Sequence, residues 1–396
     1  MNTHQEAVTK LLKHYRAAFK SDPTVTVFAP GRVEVLGNHT DYNEGFVLSA
    51  AIDSGIYFAI APIPGNTCRL VAADLEADIS FPAANPEVIA EAPWAAYSMG
   101  VHEGLLAHMP QPIAWQAVFC GTVPRGSGLS SSAAISMATA RAICAIANIN
   151  PGPLTIAKIG QMAEHRFAGV RCGLLDQLSS LCGKAGHLLE IDFRTFAVTP
   201  RPLDANASLL LVNSGTTHTL GDGVYNERRG DCEAAAQAFA KQLSHPVTAL
   251  RDVSMQEWIE HHEKLPERQA RRAAHVIGEN ARVQEAANAL LQGDIAHFGF
   301  LMFESHHSSM VNFENSCPAL DAIVETARHT EGVLGARLSG GGFGGSAILL
   351  IQTDLADAIC TTLDTELERI LGYKCALQLV HPADGAHILA AEEVTG

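Results

Sequence analysis

Residues 124–134 read "PRGSGLSSSAA", and "ISMATARAICAIANI" (135–149) follows as a strongly helical run. Before them lies "IAWQAVFCGTVP" (113–124), which reads as a strand. Gly126 and Gly128 permit backbone conformations closed to other residues and let a ligand approach the chain. Ser130, Ser131 and Ser132 occupy the expected helix start. The first turn of a helix leaves N–H groups unpaired and carries the positive end of the dipole, so it favours an anion, most naturally phosphate. Gly126, Ser127, Gly128, Leu129, Ser130, Ser131 and Ser132 are therefore candidate anion-binding residues. The plain alternative is a glycine turn with ordinary serine caps. No Lys-Ser or Lys-Thr closes the loop, and no G-x-G-x-x-G follows the strand, so neither a P-loop nor a dinucleotide fold fits. A phosphate-binding protein of a third type is left.

Composition supports a large folded enzyme. The chain has 396 residues, 47% hydrophobic and 17% charged, enough apolar material for an extensive core. Its 27 Lys and Arg against 42 Asp and Glu give a net charge of −15. That argues against non-specific binding to nucleic acid or membrane. No apolar run reaches the ~20 residues that span a bilayer. The first 22 residues form an amphipathic helical pattern rather than a signal peptide. Nine scattered cysteines without a C-x-x-C read as free thiols in a reducing compartment. A cytoplasmic protein is expected.

Strand and helix patterns are intermixed along the chain. "TVTVFAP" (24–30) alternates as a strand and ends at Pro30, and 46–63 supplies one or two strands. Helices are expected at 5–20, 154–169, 225–243, 268–291, 318–328 and 353–371, with strands at 185–193, 208–215 and 374–381. A second glycine loop, "SGGGFGGSA" (339–347), precedes another strand. The regular rhythm of a doubly wound sheet is missing, which favours an α+β chain in two lobes, 1–197 and 198–396. The polar, proline-containing "TFAVTPRPLDANA" (195–207) is the expected junction.

Three stretches taken together, "GRVEVLGNHTDYNEG" (31–45), "PRGSGLSSSAA" and "SGGGFGGSA", resemble the ordered motifs of the GHMP small-molecule kinases. Within them the chain most resembles the galactokinase family. The supporting stretches are "CGLLDQLSSLCGKAGHLLEIDFR" (172–194), "NSGTTHTLGDGVYNERRGDCE" (213–233), "RRAAHVIGENARV" (271–283), and "MFESHHSSM" with "SCPALD" (302–321). The resemblance covers nearly the whole chain. It implies a two-lobed GHMP kinase fold with an N-terminal mixed-sheet lobe, a C-terminal ferredoxin-like lobe and the active site in the cleft. It also implies transfer of the γ-phosphoryl of ATP, with Mg²⁺, to the anomeric hydroxyl of a hexose.

Matching positions then take roles. Asp176 corresponds to the catalytic carboxylate and Arg32 to its partner beside the transferred phosphoryl group. Ser132 and Glu164 correspond to the Mg²⁺ ligands, and Gly126 to Ser132 to the loop that holds the ATP phosphates. Asn38, His39, Asp41, Gly173 and Tyr225 correspond to the sugar side. His39 read by itself is better explained as a structural histidine, since a buried His often just satisfies backbone groups. The partners expected are a sugar and MgATP, with a monomer or weak homodimer as the assembly.

One position departs from the resemblance. The galactokinase motif carries Glu where this chain has Asn38, next to the sugar's C6 end. An anionic acceptor has become an amide that both donates and accepts. Galactose with weaker binding is one expectation. A sugar altered at C6, such as galacturonate, fucose or arabinose, is the other. A non-catalytic sensor of sugar and ATP is a third, disfavoured because Ser130 to Ala134, Arg32, Glu164 and Asp176 are all present.

Overall fold

The computed structural model describes residues 3–123, 128–169, 172–216 and 221–395. The chain opens with α1 (Thr3–Phe19), then strands β1 (Val25–Leu36), β2 (Phe46–Pro62), β3 (Thr67–Ala72) and β4 (Ala77–Pro82). Helix α2 (Ala96–Leu105) and strand β5 (Trp115–Gly121) precede three helices, α3 (Ser131–Ala147), α4 (Pro153–Ala163) and α5 (Leu175–Cys182). Strands β6 (His187–Asp192) and β7 (Ala197–Pro202) complete this half. The second half runs β8 (Ala207–Asn213), α6 (Gly221–Ala240), α7 (Met255–His261), α8 (Glu267–Gln292), α9 (Ile295–Ser308) and α10 (Pro318–Arg328). It continues through β9 (Val333–Ser339), β10 (Ser346–Gln352), α11 (Ala356–Leu371) and β11 (Ala376–Val380), then a short β12 (His387–Ile388).

Strands β1 to β7 and β12 form one mixed sheet, in which β3 and β5 pair in parallel and the other pairs are antiparallel. The second sheet is antiparallel in the order β11-β8-β10-β9. Counted along the chain, that order is fourth, first, third, second, which is the ferredoxin-like arrangement. The fold is α+β in two lobes.

Several details differ from the sequence reading. The division at 197/198 falls at the start of β7, which pairs with β6 and so belongs to the first sheet. The C-terminal β12 also returns to that sheet beside β1. Strand β1 does not stop at Pro30 but continues to Leu36, with a shift of pairing register between Pro30 and Arg32. A bulge absorbs the missing N–H of a proline and lets the ladder resume. The hairpin β3–β4 and helices α2 and α9 did not stand out from sequence. The helix expected at 154–169 changes winding at Glu164, where Glu164–Ala168 forms a π turn.

Apolar side chains place the lobes against each other. Val33, Val35 and Leu36 from β1 share one core with Leu209 and Leu211 of β8, Val283 of α8, Phe298 of α9 and Ile348 of β10. Pairing is regular over residues 32–34, so Arg32 and Glu34 lie on the face opposite Val33, and a second register shift between Glu34 and Leu36 turns Leu36 into the core. Helices α2 to α5 cover the first sheet with a second apolar cluster. Among the described residues, no helix is long and apolar enough to cross a membrane.

Candidate active site

A cavity of about 520 Å³ is walled by residues from both lobes. Strand β1 and the loop after it supply Arg32, Glu34, Asn38, His39 and Asp41. The approach to α5 supplies Cys172, Gly173, Leu175 and Asp176, α6 supplies Tyr225 and Asn226, and the β9–β10 loop supplies Gly340 to Phe343.

At one end, Arg32 binds Asp176 through two hydrogen bonds, Nε to Oδ1 at 2.6 Å and Nη2 to Oδ2 at 2.8 Å. A guanidinium fork matches a carboxylate in this way and a Lys ammonium cannot. The third arm, Nη1, donates to the Gly128 carbonyl at 2.7 Å. The Ser130 hydroxyl also donates to Asp176 Oδ2. The start of the glycine–serine loop is thus tied to the carboxylate that faces the cavity.

Gly126 and Ser127, expected in the phosphate cradle, lie outside the described residues. Leu129 is buried in the core between the lobes, and its carbonyl accepts from the Arg32 N–H at 3.1 Å. Its contribution to the loop is therefore an anchor. Ser130 holds a left-handed backbone (φ 56°) just before α3. Ser131 is exposed and Ser132 half-buried at the first turn of that helix.

Ser132 faces Glu164, which is buried and accepts from the Gln177 amide at 2.7 Å. Burial first, then the nearby Asp176, raises the Glu164 carboxyl to about 7, and the hydrogen bonds from Gln177 and Ser132 only partly offset this. Gln177 Oε1 is buried with no hydrogen-bond partner among the described residues. A hydroxyl, a carboxylate in want of positive charge and an unpaired amide oxygen form a donor set that suits a hard, oxygen-loving divalent cation. Neither Ser132 nor Glu164 is on the cavity wall.

The sugar-side residues divide into two kinds. Asn38 is 1% exposed, and its polar atoms are already engaged. Its amide nitrogen donates to Glu34 Oε1 at 2.8 Å and to the Gly340 carbonyl at 2.7 Å, and its oxygen accepts from Asn315 at 2.7 Å. His39 is engaged as well. Its Nε2–H donates to the Gly341 carbonyl at 3.0 Å, which leaves Nδ1 to accept from the Tyr42 hydroxyl at 2.9 Å. Burial lowers its pKa to about 3, so the ring is neutral. The structural reading of His39 accounts for both nitrogens.

Asp41 and Tyr225 are different. Both line the cavity, and among the described residues no side chain hydrogen-bonds to either. Burial raises the Asp41 carboxyl to about 6, the Tyr42 N–H offsets part of this, and the Asp176 charge adds to it. Gly173 is required by close approach, since a Cβ there would stand 2.1 Å from Asp41 Oδ2. The β9–β10 loop is shaped by a similar constraint. Gly342 has φ +83°, and a Cβ on it would stand 2.1 Å from the Asn315 carbonyl.

Three family models match the chain in order: the galactokinase galactose-binding signature over residues 13–62, the GHMP kinases N terminal domain over 100–184 and the GHMP kinases C terminal over 286–368. The galactokinase of Actinobacillus pleuropneumoniae serotype 5b (strain L20) is 36% identical over 394 residues, covering 98% of this chain and 100% of that one. The galactokinase of Actinobacillus succinogenes is 37% identical over 391 residues, covering 97% and 99%. The chain belongs to the galactokinase family. Lactococcus lactis galactokinase, solved in complex with galactose, superposes with a TM-score of 0.88 at 27% identity, covering 96% of this chain and 98% of that one. The family makes this chain a sugar kinase of the GHMP type.

Beside this family frame stand residues that the sequence reading passed over. Glu34 and Asn226 are on the cavity wall. Glu279 of α8 is fully buried behind it and accepts from the N–H groups of Gly37 and Asn38, each at 3.0 Å. Its signal was present, because Glu279 occupies an apolar stripe with His275, Val283, Ala286 and Leu290. Glu34 sets a carboxylate directly beside residue 38, its Oε1 accepting from the Asn38 amide at 2.8 Å.

Proposed function

We propose that this galactokinase-family chain transfers the γ-phosphoryl group of ATP to the anomeric hydroxyl of galactose, giving ADP and galactose 1-phosphate. The observation that carries the reading is the Arg32–Asp176 pair at the rim of a cavity that also presents Asp41 and Tyr225 with unfilled hydrogen-bonding capacity. Galactose is taken from the galactose-binding signature at 13–62 and from the relatives' own activity.

In this reading Asp176 accepts the proton of the C1 hydroxyl while that oxygen bonds to the γ-phosphorus and the bond to the bridging oxygen of ADP breaks. Oδ1 of Asp176 takes one hydrogen bond from Arg32 and keeps a lone pair for the proton. The Arg32 guanidinium offsets charge that gathers on the transferred group. Asp41 accepts from two adjacent ring hydroxyls, which selects the geometry that presents both. Gly128 to Ser132, with the residues before them, hold the phosphates at the start of α3. Ser132 and Glu164 would hold Mg²⁺, and bound there the ion would neutralise phosphate charge.

The test is ADP release with a panel of galactose, galacturonate, fucose and arabinose. Galactose is expected to be used best. Better use of galacturonate would overturn the sugar assignment. Absence of turnover on every sugar, with sugar and ATP still bound in calorimetry, would make the chain a sensor.

A further inference from the structure

Of the carboxylates on the cavity wall, Asp176 and Asp41 have roles in the reaction and Glu34 has none. Yet Glu34 is fixed through both its backbone and its side chain. It is 6% exposed. The Ser339 hydroxyl accepts from its N–H at 3.1 Å and donates to its carbonyl at 3.0 Å, so strand β9 fixes its backbone. Its Oε1 accepts from Asn38 at 2.8 Å and from the buried Arg337 at 3.4 Å. Its other oxygen, Oε2, takes no hydrogen bond among the described residues, and Glu34 lines the cavity. A carboxylate accepts through both oxygens, so the unfilled one is available to a ligand hydroxyl at the cavity wall.

Position along β1 says which part of a sugar it meets. Arg32 and Glu34 are two residues apart in regularly paired strand, Arg32 opposite Ala51 and Glu34 opposite Ser49, so they share one face. Two residues of strand span about 7 Å. That is roughly the distance from the reacting oxygen of a hexose, beside Arg32 and Asp176, to the substituents across the ring. Asn38 has no hydrogen to offer there, because both of its amide hydrogens are donated to Glu34 and Gly340, and its 1% exposed side chain already accepts from Asn315.

We propose that Glu34 is the specificity-determining acceptor for a hydroxyl at the end of the sugar ring remote from C1, and that Asn38 is the residue that positions it. The inference rests on the galactose-kinase reading. It restores an anionic acceptor to a wall on which residue 38 is neutral. A uronate carboxylate at that end of the sugar would meet Glu34 and be repelled. Asn38→Glu would set a second carboxylate against the first and is expected to impair use of galactose, the reverse of what the sequence suggests when position 38 is read alone.

The experiment compares steady-state kinetics of the full chain and its Glu34→Gln variant on galactose and on its 2-deoxy, 4-deoxy and 6-deoxy forms. Glu34→Gln turns the cavity-facing acceptor into a donor or sets two amides against each other. KM for galactose is expected to rise about 10- to 100-fold with kcat within about threefold, as for an interaction made equally before and during transfer. The penalty is expected to vanish on the 4-deoxy or the 6-deoxy sugar and to persist on the 2-deoxy sugar. Asn38→Ala is expected to show the same pattern at about three- to tenfold. An equal penalty on every deoxy sugar, or none on galactose, would overturn the proposal. Glu34→Asp keeps the charge beside Arg337 and supplies the same comparison if Glu34→Gln does not fold. A wild-type chain that binds galactose without turning it over would sink the kinase reading alone. Calorimetry of both forms with galactose then decides for Glu34 if the variant binds at least tenfold more weakly, and against it if the affinities match.

Discussion

The Arg32 guanidinium closes on both oxygens of Asp176, at 2.6 and 2.8 Å, while its remaining nitrogen reaches the Gly128 carbonyl at 2.7 Å. One side chain therefore fixes the carboxylate and the loop start together. Arg32→Lys keeps the charge and loses the fork. It is expected to lower kcat by about 10²- to 10³-fold, as removal of a preorganised charge stabiliser does, and to leave KM for galactose within a few-fold. Steady-state kinetics separate the two parameters. A rise in KM at unchanged kcat would mean that Arg32 serves sugar binding instead.

Gly173 packs directly against the Asp41 carboxylate. A methyl group at Gly173 would begin 2.1 Å from Asp41 Oδ2, and one of the two must yield. Gly173→Ala is expected to raise KM for galactose about 100-fold, since a shift of about 1 Å in a positioning group costs that much. KM for ATP and the urea midpoint are expected to stay near the wild-type values, because Gly173 lies on the cavity wall and outside the apolar clusters. Unchanged sugar kinetics would place Asp41 outside the contact.

The contrast between Arg32 and Glu34 shows what could be read in the sequence. Arg32, Asp176, Asp41 and the two glycine loops lie in motifs, and motifs survive without coordinates. Glu34 was missed because β1 was expected to end at Pro30, so the two-residue alternation was not carried through residues 31–36. The register shift after Pro30 is what keeps the strand going. Asn38 was overread for the opposite reason. It is adjacent in sequence to His39 and Asp41, but the turn sends its amide to Glu34, Gly340 and Asn315. Those partners come from residues about 300 positions away in part, and no local pattern announces them. The order of the second sheet, with the ferredoxin-like lobe it defines, followed from family resemblance and not from periodicity.

Two cavity carboxyls are raised by burial, Asp41 to about 6 and Glu34 to about 7. In Glu34 the charges of Arg337 and the Asn38 amide offset part of the rise. Both must be ionised to accept hydroxyl hydrogens with their full capacity. A raised carboxyl takes up its proton from higher pH downward, so the binding-competent form is complete above about pH 8 and is lost as the pH falls through 7 and 6. The galactose Kd is expected to rise at least tenfold between pH 8 and pH 5. Calorimetric titration across that range measures it, and Glu34→Gln is expected to shift the onset downward, toward the Asp41 value. A flat profile would show that the sugar does not call on these carboxylates in their ionised form.

Glu279 holds the turn that carries the sugar motif, and it does so from a fully buried position on α8. It accepts from the N–H groups of Gly37 and Asn38 and from the Ser305 hydroxyl, and it pairs with Arg282 at 2.6 Å. The buried Arg337 lies 4.0 Å away and has only Glu279 and Glu34 as ion-pair partners among the described residues. Burial alone would raise the Glu279 carboxyl, but Arg282, then His275 and Arg337, hold it well below the ordinary range, so it is ionised. Glu279→Ala leaves two backbone donors unpaired and removes half of the charge that Arg337 sees. Breaking a buried charge set from one side costs about 3–5 kcal/mol. Equilibrium urea denaturation is expected to show a loss of that size. At temperatures where the variant remains folded, its galactose KM is expected to rise more than its ATP KM, because Gly37 and Asn38 lie on the sugar side. A variant within about 1 kcal/mol of wild type would mean that Arg337 and the turn find other partners, and the buried cluster would then be dispensable to the site.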